Sequence, residues 1–133
     1  MRHALIVIAA LVSLSLAACG GGSGGASGPP PDVTPSTVLT LKAKNIKFDK
    51  KALATIANAD VVLTLDNQDR GVLHNFALYR DQGFKEKVFV GDLFPGKKTL
   101  EYRFRAPDQG AYYFRCDAHP DMRGTFTVKP QSN

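Results

Sequence analysis

The sequence predicts an all-β domain, a sandwich or Greek-key barrel of seven to eight strands. Three observations carry this. No window keeps a helical period of apolar residues, short runs of alternating apolar and polar residues recur, and turn residues break those runs at close intervals. Short strands with one apolar face bury it by packing two sheets together or by closing one sheet on itself.

The elements follow in order along the chain. Thr37 to Ala43 and Asn45 to Phe48 open the series, with Leu39, Leu41, Ile46 and Phe48 as core candidates. Leu53 to Ile56 comes next, and Ala57-Asn58-Ala59-Asp60 reads as a turn. Val61 to Asp66 sets Val61, Leu63 and Leu65 on one face. Beyond the polar loop Asn67-Gln68-Asp69-Arg70-Gly71, the segment Val72 to Arg80 brings His74, Phe76 and Leu78 to a common face. Lys87 to Val90 is a short strand, and Asp92 to Gly96 is a turn bearing Leu93, Phe94 and Pro95. Thr99 to Arg105 alternates, with Leu100, Tyr102 and Phe104 inward and Glu101, Arg103 and Arg105 outward. After the turn Ala106 to Gly110, Ala111 to Cys116 sets Tyr112, Phe114 and Cys116 on one side. The last strand does the same with Gly124, Phe126 and Val128.

Three regions divide the chain. Residues 1–18 start with the positive Met1-Arg2-His3, continue in an apolar run too short to span a bilayer with margin, and end in Leu16-Ala17-Ala18-Cys19. That ending resembles a bacterial lipoprotein signal, which implies cleavage before Cys19 and lipid attachment to it. Residues 19–36 form a linker, since Gly20 to Pro31 holds only glycine, serine, alanine and proline and cannot bury a core. Such a tether has a typical reach near ~20 Å and a taut limit near ~40 Å. Residues 37–130 are long enough for one domain with one core.

The formal charge is +5, and losing Arg2 with the signal leaves one less. Lys42, Lys44, Lys47, Lys50 and Lys51 cluster near the domain's start. They read as a solvated face, with anionic lipid or an acidic partner as the sharper alternative. Aromatic residues are not interleaved with them as in a nucleic-acid surface, so nucleic acid is excluded as a partner. With Cys116 the lone cysteine of the domain, an internal disulfide is excluded too.

The chemistry is concentrated in Cys116-Asp117-Ala118-His119-Pro120-Asp121-Met122, which spaces a thiol, an imidazole and a thioether three residues apart. Beyond the first nineteen residues the chain has one cysteine, one methionine (Met122) and two histidines, His74 and His119. Singly, each has a plain explanation: His74 as a satisfied core histidine, Cys116 as a small buried apolar group, Met122 as a gap filler. Together they make a His, His, Cys, Met set suited to a copper ion cycling between Cu(I) and Cu(II). Zinc also accepts nitrogen and thiolate, but a thioether is a poor zinc ligand.

From about Leu39 to Val128 the chain resembles the cupredoxins, the small type 1 blue copper proteins, and within them the amicyanin-like and plastocyanin-like members. The matching stretches are His74-Asn75-Phe76 and Tyr112-Tyr113-Phe114-Arg115-Cys116 through Gly124, with the short Cys-x-x-His-x-x-Met loop of amicyanin. The resemblance implies one copper ion held by His74, Cys116 and His119 in the equatorial plane and Met122 on the axis. It implies that Asn75 ties the two ligand loops together and that electrons leave through the edge of His119. Pro120, Leu93, Phe94 and Pro95 would then form an apolar docking patch. Leu93 to Pro95 also fit a turn that merely covers the barrel end.

The implied function is a non-enzymatic, monomeric electron carrier on the extracytoplasmic face of a bacterial membrane, held there by a lipid anchor. It would exchange single electrons with a redox protein such as a cytochrome or an oxidoreductase. The alternative is a copper carrier delivering the ion to another extracytoplasmic metalloprotein. No histidines remain for the further copper sites of a multicopper oxidase or nitrite reductase, and a binuclear copper centre needs a second cysteine near Cys116. Asp117 and Asp121 depart from the family pattern. They read as solvated rim charges, although an Asp117 held close to the metal would lower the reduction potential. In amicyanin-like proteins the exposed loop histidine can leave reduced copper and take up a proton, which implies a potential that rises as pH falls.

Overall fold

The computed structural model describes residues 32–132. The expected signal segment 1–18, Cys19 and the linker up to residue 31 lie outside the described residues. Ten strands and no helix are present among the described residues. They are β1 (Val38–Ala43), β2 (Ala52–Ile56), β3 (Asp60–Asn67), β4 (Leu73–His74), β5 (Ala77–Tyr79), β6 (Lys87–Val90), β7 (Phe94–Pro95), β8 (Lys98–Arg105), β9 (Gly110–Cys116) and β10 (His119–Lys129). The two beyond the expected number are β4 and β7, two-residue pieces that pair with each other.

One sheet has the order β1-β3-β8 and the other β2-β10-β9-β5-β6. The chain crosses between them at its start, so β1 runs parallel to β3 and β2 parallel to β10, while the remaining neighbours are antiparallel. Leu39, Leu41, Leu63 and Leu65 from the first sheet meet Leu78, Phe114, Phe126 and Val128 from the second in one core. Phe76 is its hub. The ring is fully buried, with centroids 5.6–6.4 Å from those of Phe89, Phe104, Phe114 and Phe126. A residue two positions after His74 therefore anchors that segment to the centre of the domain, with aromatic pairs adding about 0.5–1.5 kcal/mol each beyond area burial.

Two expected elements differ. Asn45 to Phe48 is not a strand: Lys44 and Lys47 exchange backbone hydrogen bonds of 2.9 and 3.1 Å, and Asn45 and Ile46 take φ of 53° and 54°. This is a two-residue hairpin turn, which needs positive φ at both central positions to follow the strand twist. Ile46 is consequently 50 % exposed instead of buried. The second difference is Val72 to Arg80, which breaks into β4 and β5 and is buried on both faces from His74 to Tyr79. Alternation fails there because β5 lies between β9 and β6 and its outer face is roofed. Tyr79 packs edge-on against Phe84 and under the Arg115 guanidinium.

Candidate metal centre

Cys116 closes β9 and is the direct cross-strand partner of His119, which opens β10. Only Asp117 and Ala118 lie between them, so the turn is tighter than a free loop. The register of β10 shifts between His119 and Arg123, a bulge of the kind that redirects side chains at strand ends. Met122, inside that irregular stretch, is 1 % exposed and belongs to the same core cluster as Cys116. His74 arrives from the other side, where β4 pairs it with Phe94 of β7.

The three side chains converge. Cys116 Sγ lies 3.6 Å from Nδ1 of His74 and 3.6 Å from Nδ1 of His119, and the three candidate ligand atoms all fall within 4.8 Å of one another. Bonds of about 2.0 Å to nitrogen and about 2.3 Å to sulfur, at angles of roughly 110–120°, set sulfur and nitrogen roughly 3.5–3.8 Å apart. The spacing thus fits one transition-metal ion, and a thiolate with two imidazoles is a donor set that copper accepts, with the buried Met122 thioether three residues after His119 in the chain. His74 and Cys116 are fully buried, whereas His119 is partly exposed.

Asp69 fixes the orientation of His74. Nε2 of His74 lies 2.9 Å from Asp69 Oδ2, and because a carboxylate only accepts, Nε2 carries the proton and Nδ1 offers its lone pair toward Cys116. The carboxylate is itself held by the backbone amides of Asn45 (2.6 Å) and Ile46 (2.9 Å). Burial pushes the Asp69 carboxyl up, but those amides and His74 outweigh it and hold it below the usual carboxylate range. Asn67, fully buried, donates to the carbonyls of Val72 (2.8 Å) and Phe94 (3.0 Å) and accepts from the Asp69 amide (3.0 Å). Gly96 must be glycine here, since a Cβ would stand 2.3 Å from the Asp69 carbonyl and 2.6 Å from Asn67 Oδ1. Neither Asn67 nor Asp69 stood out in the sequence, where both sat in an ordinary polar loop.

Asn75 connects the two histidine segments. Its side-chain oxygen accepts from the Asp117 amide at 2.8 Å, and its nitrogen donates to the Gly91 carbonyl at 2.9 Å and to Asp117 Oδ2 at 3.2 Å. Asp117 is not a solvated rim charge. It also accepts from the Tyr79 hydroxyl at 2.5 Å and from Arg115 Nε at 3.1 Å, and the Arg115 guanidinium lies over the rings of both Tyr79 (4.9 Å) and Phe84 (4.7 Å). The charge beside Cys116 is thus matched by a guanidinium. Asp121 is exposed, as a rim charge should be.

Burial raises the Asp117 carboxyl, but the Tyr79, Asn75 and Arg115 donors prevail and lower it. A carboxylate with a depressed folded value contributes stability above its unfolded value, about 3.9, and loses it as pH falls through the folded one. The stability gap between wild type and Asp117→Asn is accordingly expected to be full at pH 7 and to close in acid. Urea unfolding of the metal-free protein at several pH values checks this, and a gap that ignores pH contradicts it.

The surface around the centre is apolar. Ile46 (50 %), Leu73 (47 %) and Leu93 (45 %) are exposed, as are Pro95 and Pro120. Phe94 differs from expectation: it is 5 % exposed and packs in the core near Tyr102, because pairing with His74 turns it inward. It supports the patch from beneath and offers a partner nothing. Ile46 and Leu73 were missed, the first because it was assigned to the core.

The sequence matches a family model described as a cupredoxin-like domain over residues 4–128. No curated protein matches it. Among solved structures it is similar to dithionite-reduced auracyanin from the photosynthetic bacterium Roseiflexus castenholzii, with TM-score 0.66 and 20 % identity over 73 % of this chain and 100 % of that one. It is similar to auracyanin A, a "blue" copper protein from Chloroflexus aurantiacus, with TM-score 0.63 and 20 % identity over 72 % of this chain and 100 % of that one. Rusticyanin from Thiobacillus ferrooxidans gives TM-score 0.59 and 18 % identity over 73 % of this chain and 85 % of that one. At such identities these likenesses speak for the fold.

Proposed function

The chain belongs to the cupredoxin-like family, and from that premise we propose that it is a type 1 copper protein that carries single electrons and catalyses no reaction of its own. The observation that carries the reading is the convergence of His74 Nδ1 and His119 Nδ1 on the buried Cys116 sulfur. Bound copper would supply a one-electron couple between Cu(I) and Cu(II). The chain's own residues would do the rest. Cys116, His74 and His119 are the proposed equatorial ligands and Met122 the axial one. Asp69 holds the His74 ring in one tautomer, and Asn75 locks the Cys116–His119 turn to the His74 segment. Ligands held this way on both sides have little freedom to rearrange as the charge of the site changes. The partly exposed His119 provides the short route to a partner docked on the apolar surface.

The deciding experiment is the visible and electron-spin spectrum of the Cu(II)-loaded protein. An intense thiolate-to-copper band with a narrow parallel copper hyperfine splitting supports the reading, and a pale, ordinary Cu(II) complex overturns it. Two substitutions refine the picture. Met122→Leu is expected to keep the colour and raise the reduction potential, because a donor that favours the more highly charged ion is lost. Asp69→Asn should also raise the potential and weaken metal affinity by about 10–100-fold, since the anionic partner of His74 disappears. Voltammetry and competitive chelation measure both, and unchanged values would reduce Asp69 to a turn-capping group.

In this proposal residues 1–18 are a signal, Cys19 carries lipid, and a linker through residue 36 tethers the domain of residues 37–130 to the extracytoplasmic face of a bacterial membrane. Support comes from the sequence pattern at Leu16-Ala17-Ala18-Cys19. Cys19→Ser is expected to move the protein out of the membrane fraction, and an unaltered distribution argues against the anchor.

A further inference from the structure

We infer that the face beside His74 is a docking surface for an acidic redox protein. The inference rests on the electron-carrier reading and adds the chemistry of the partner. Five exposed cations gather on the segments that build the His74 support: Lys44, Lys47, Arg70, Lys97 and Lys98. Lys44 and Lys47 flank the two amides that hold Asp69. Arg70 follows Asp69 and bridges to Gly96, whose successors are Lys97 and Lys98. Lys44, Lys97 and Lys98 surround a surface hollow of about 390 Å³ together with Asp66, Gln68 and Thr99.

None of the five forms an ion pair among the described residues. The acids on these segments, Asp66 and Asp69, are fewer than the cations and keep their charge. Asp66 accepts from Gln68 Nε2 at 2.7 Å and from Thr99 Oγ1 at 3.5 Å, and Asp69 is turned inward onto His74. Elsewhere Arg80 is paired with Glu86, Arg103 with Glu101, Arg105 with Asp60 and Lys129 with Asp32, whereas Lys42, Lys51, Lys85, Lys87 and Arg123 form no ion pair among the described residues. What sets this rim apart is position: five exposed cations against Asp66 and Asp69, on the segments that support His74.

This rim borders the exposed apolar side chains. Ile46 stands between Lys44 and Lys47, and Leu73 pairs with Pro95 just before Lys97 and Lys98. An apolar centre with a charged edge is the composition of a transient protein interface. The exposed acids Asp92 and Asp121 adjoin Leu93 and Pro120 instead, so the face is polarised and would orient a partner as well as attract it. A lipid surface could also use the lysines, but lying flat on it would bury the His119 edge against something that carries no electrons.

The test uses the copper-loaded protein and stopped-flow electron exchange with two probes, reduced cytochrome b5 as an acidic haem protein and reduced cytochrome c as a basic one. Reaction with cytochrome b5 is expected to be the faster at low salt and to slow as salt is added. The Lys44→Glu, Lys97→Glu, Lys98→Glu triple variant should lose roughly tenfold or more of that rate at low salt. Its colour should stay that of the wild type, and cytochrome c should gain. The control, Lys85→Glu with Lys87→Glu, reverses charges outside the rim and should leave the cytochrome b5 rate near wild type. A triple variant as fast as wild type, or an equal loss in the control, overturns the inference. So does binding to phosphatidylserine vesicles that the triple variant loses while its cytochrome b5 rate holds, which assigns the lysines to lipid. If the protein has no coloured site and exchanges electrons with neither probe, the carrier reading itself falls. Normal exchange that ignores charge reversal removes the docking surface alone.

Discussion

Replacing Cys116 with serine is expected to abolish the intense visible band of the Cu(II)-loaded protein while leaving the β-sandwich folded. Cys116 is fully buried, is the one cysteine among the described residues, and is the shared neighbour of both histidine Nδ1 atoms. A serine hydroxyl stays protonated where a thiol ionises onto the metal, and oxygen lacks the soft, high-energy electrons that give the charge-transfer colour. The fold should survive because a hydroxyl at this position has His74 and His119 nitrogens within reach as hydrogen-bond partners, which limits its desolvation cost to about 1–2 kcal/mol. Absorption and electron-spin spectra check the first half and far-ultraviolet dichroism the second. Loss of the fold along with the colour would mean that Cys116 is needed for packing as well as for ligation.

The largest stability effect is expected at Phe76. Phe76→Ala removes a fully buried ring that meets four other aromatic rings, so the cost should be about 3–5 kcal/mol. That is a large share of the 5–15 kcal/mol typical of a whole domain. A thermal midpoint lower by at least roughly 12 °C follows for a domain of this size. Because Asn75 and His74 immediately precede Phe76, the same change should loosen the site and weaken copper binding in parallel. Thermal unfolding with and without metal measures both. A loss below about 1 kcal/mol would show that the neighbouring rings collapse into the space.

Much of this was legible in the chain because it is written locally. The period-two alternation of Val61-Leu63-Leu65 and of Tyr112-Phe114-Cys116 recorded which face of each strand is buried, and all six side chains are buried. The candidate ligands were legible through scarcity, since the domain has no other thiol, thioether or imidazole to confuse them. Where alternation was misread, a local rule met a tertiary one. Ile46 is apolar, yet a two-residue turn with positive φ puts it outside, and the Asp69 carboxylate accepting both turn amides makes that conformation tolerable.

By itself, then, the sequence determined the fold class, the strand faces and the set of side chains able to hold a metal. Only the tertiary structure decided how that set is held and what surrounds it. Asp69 reaches the Asn45 amide across 24 residues of chain, and Asn75 reaches the Asp117 amide across 42. The pairing of Asp117 with Arg115 and Tyr79, and the gathering of Lys44, Lys97 and Lys98 around one hollow, are of the same kind. Periodicity reports what a residue does relative to its own strand. Hydrogen bonds and fields depend on which strands become neighbours, and that is settled when the two sheets close on a common core.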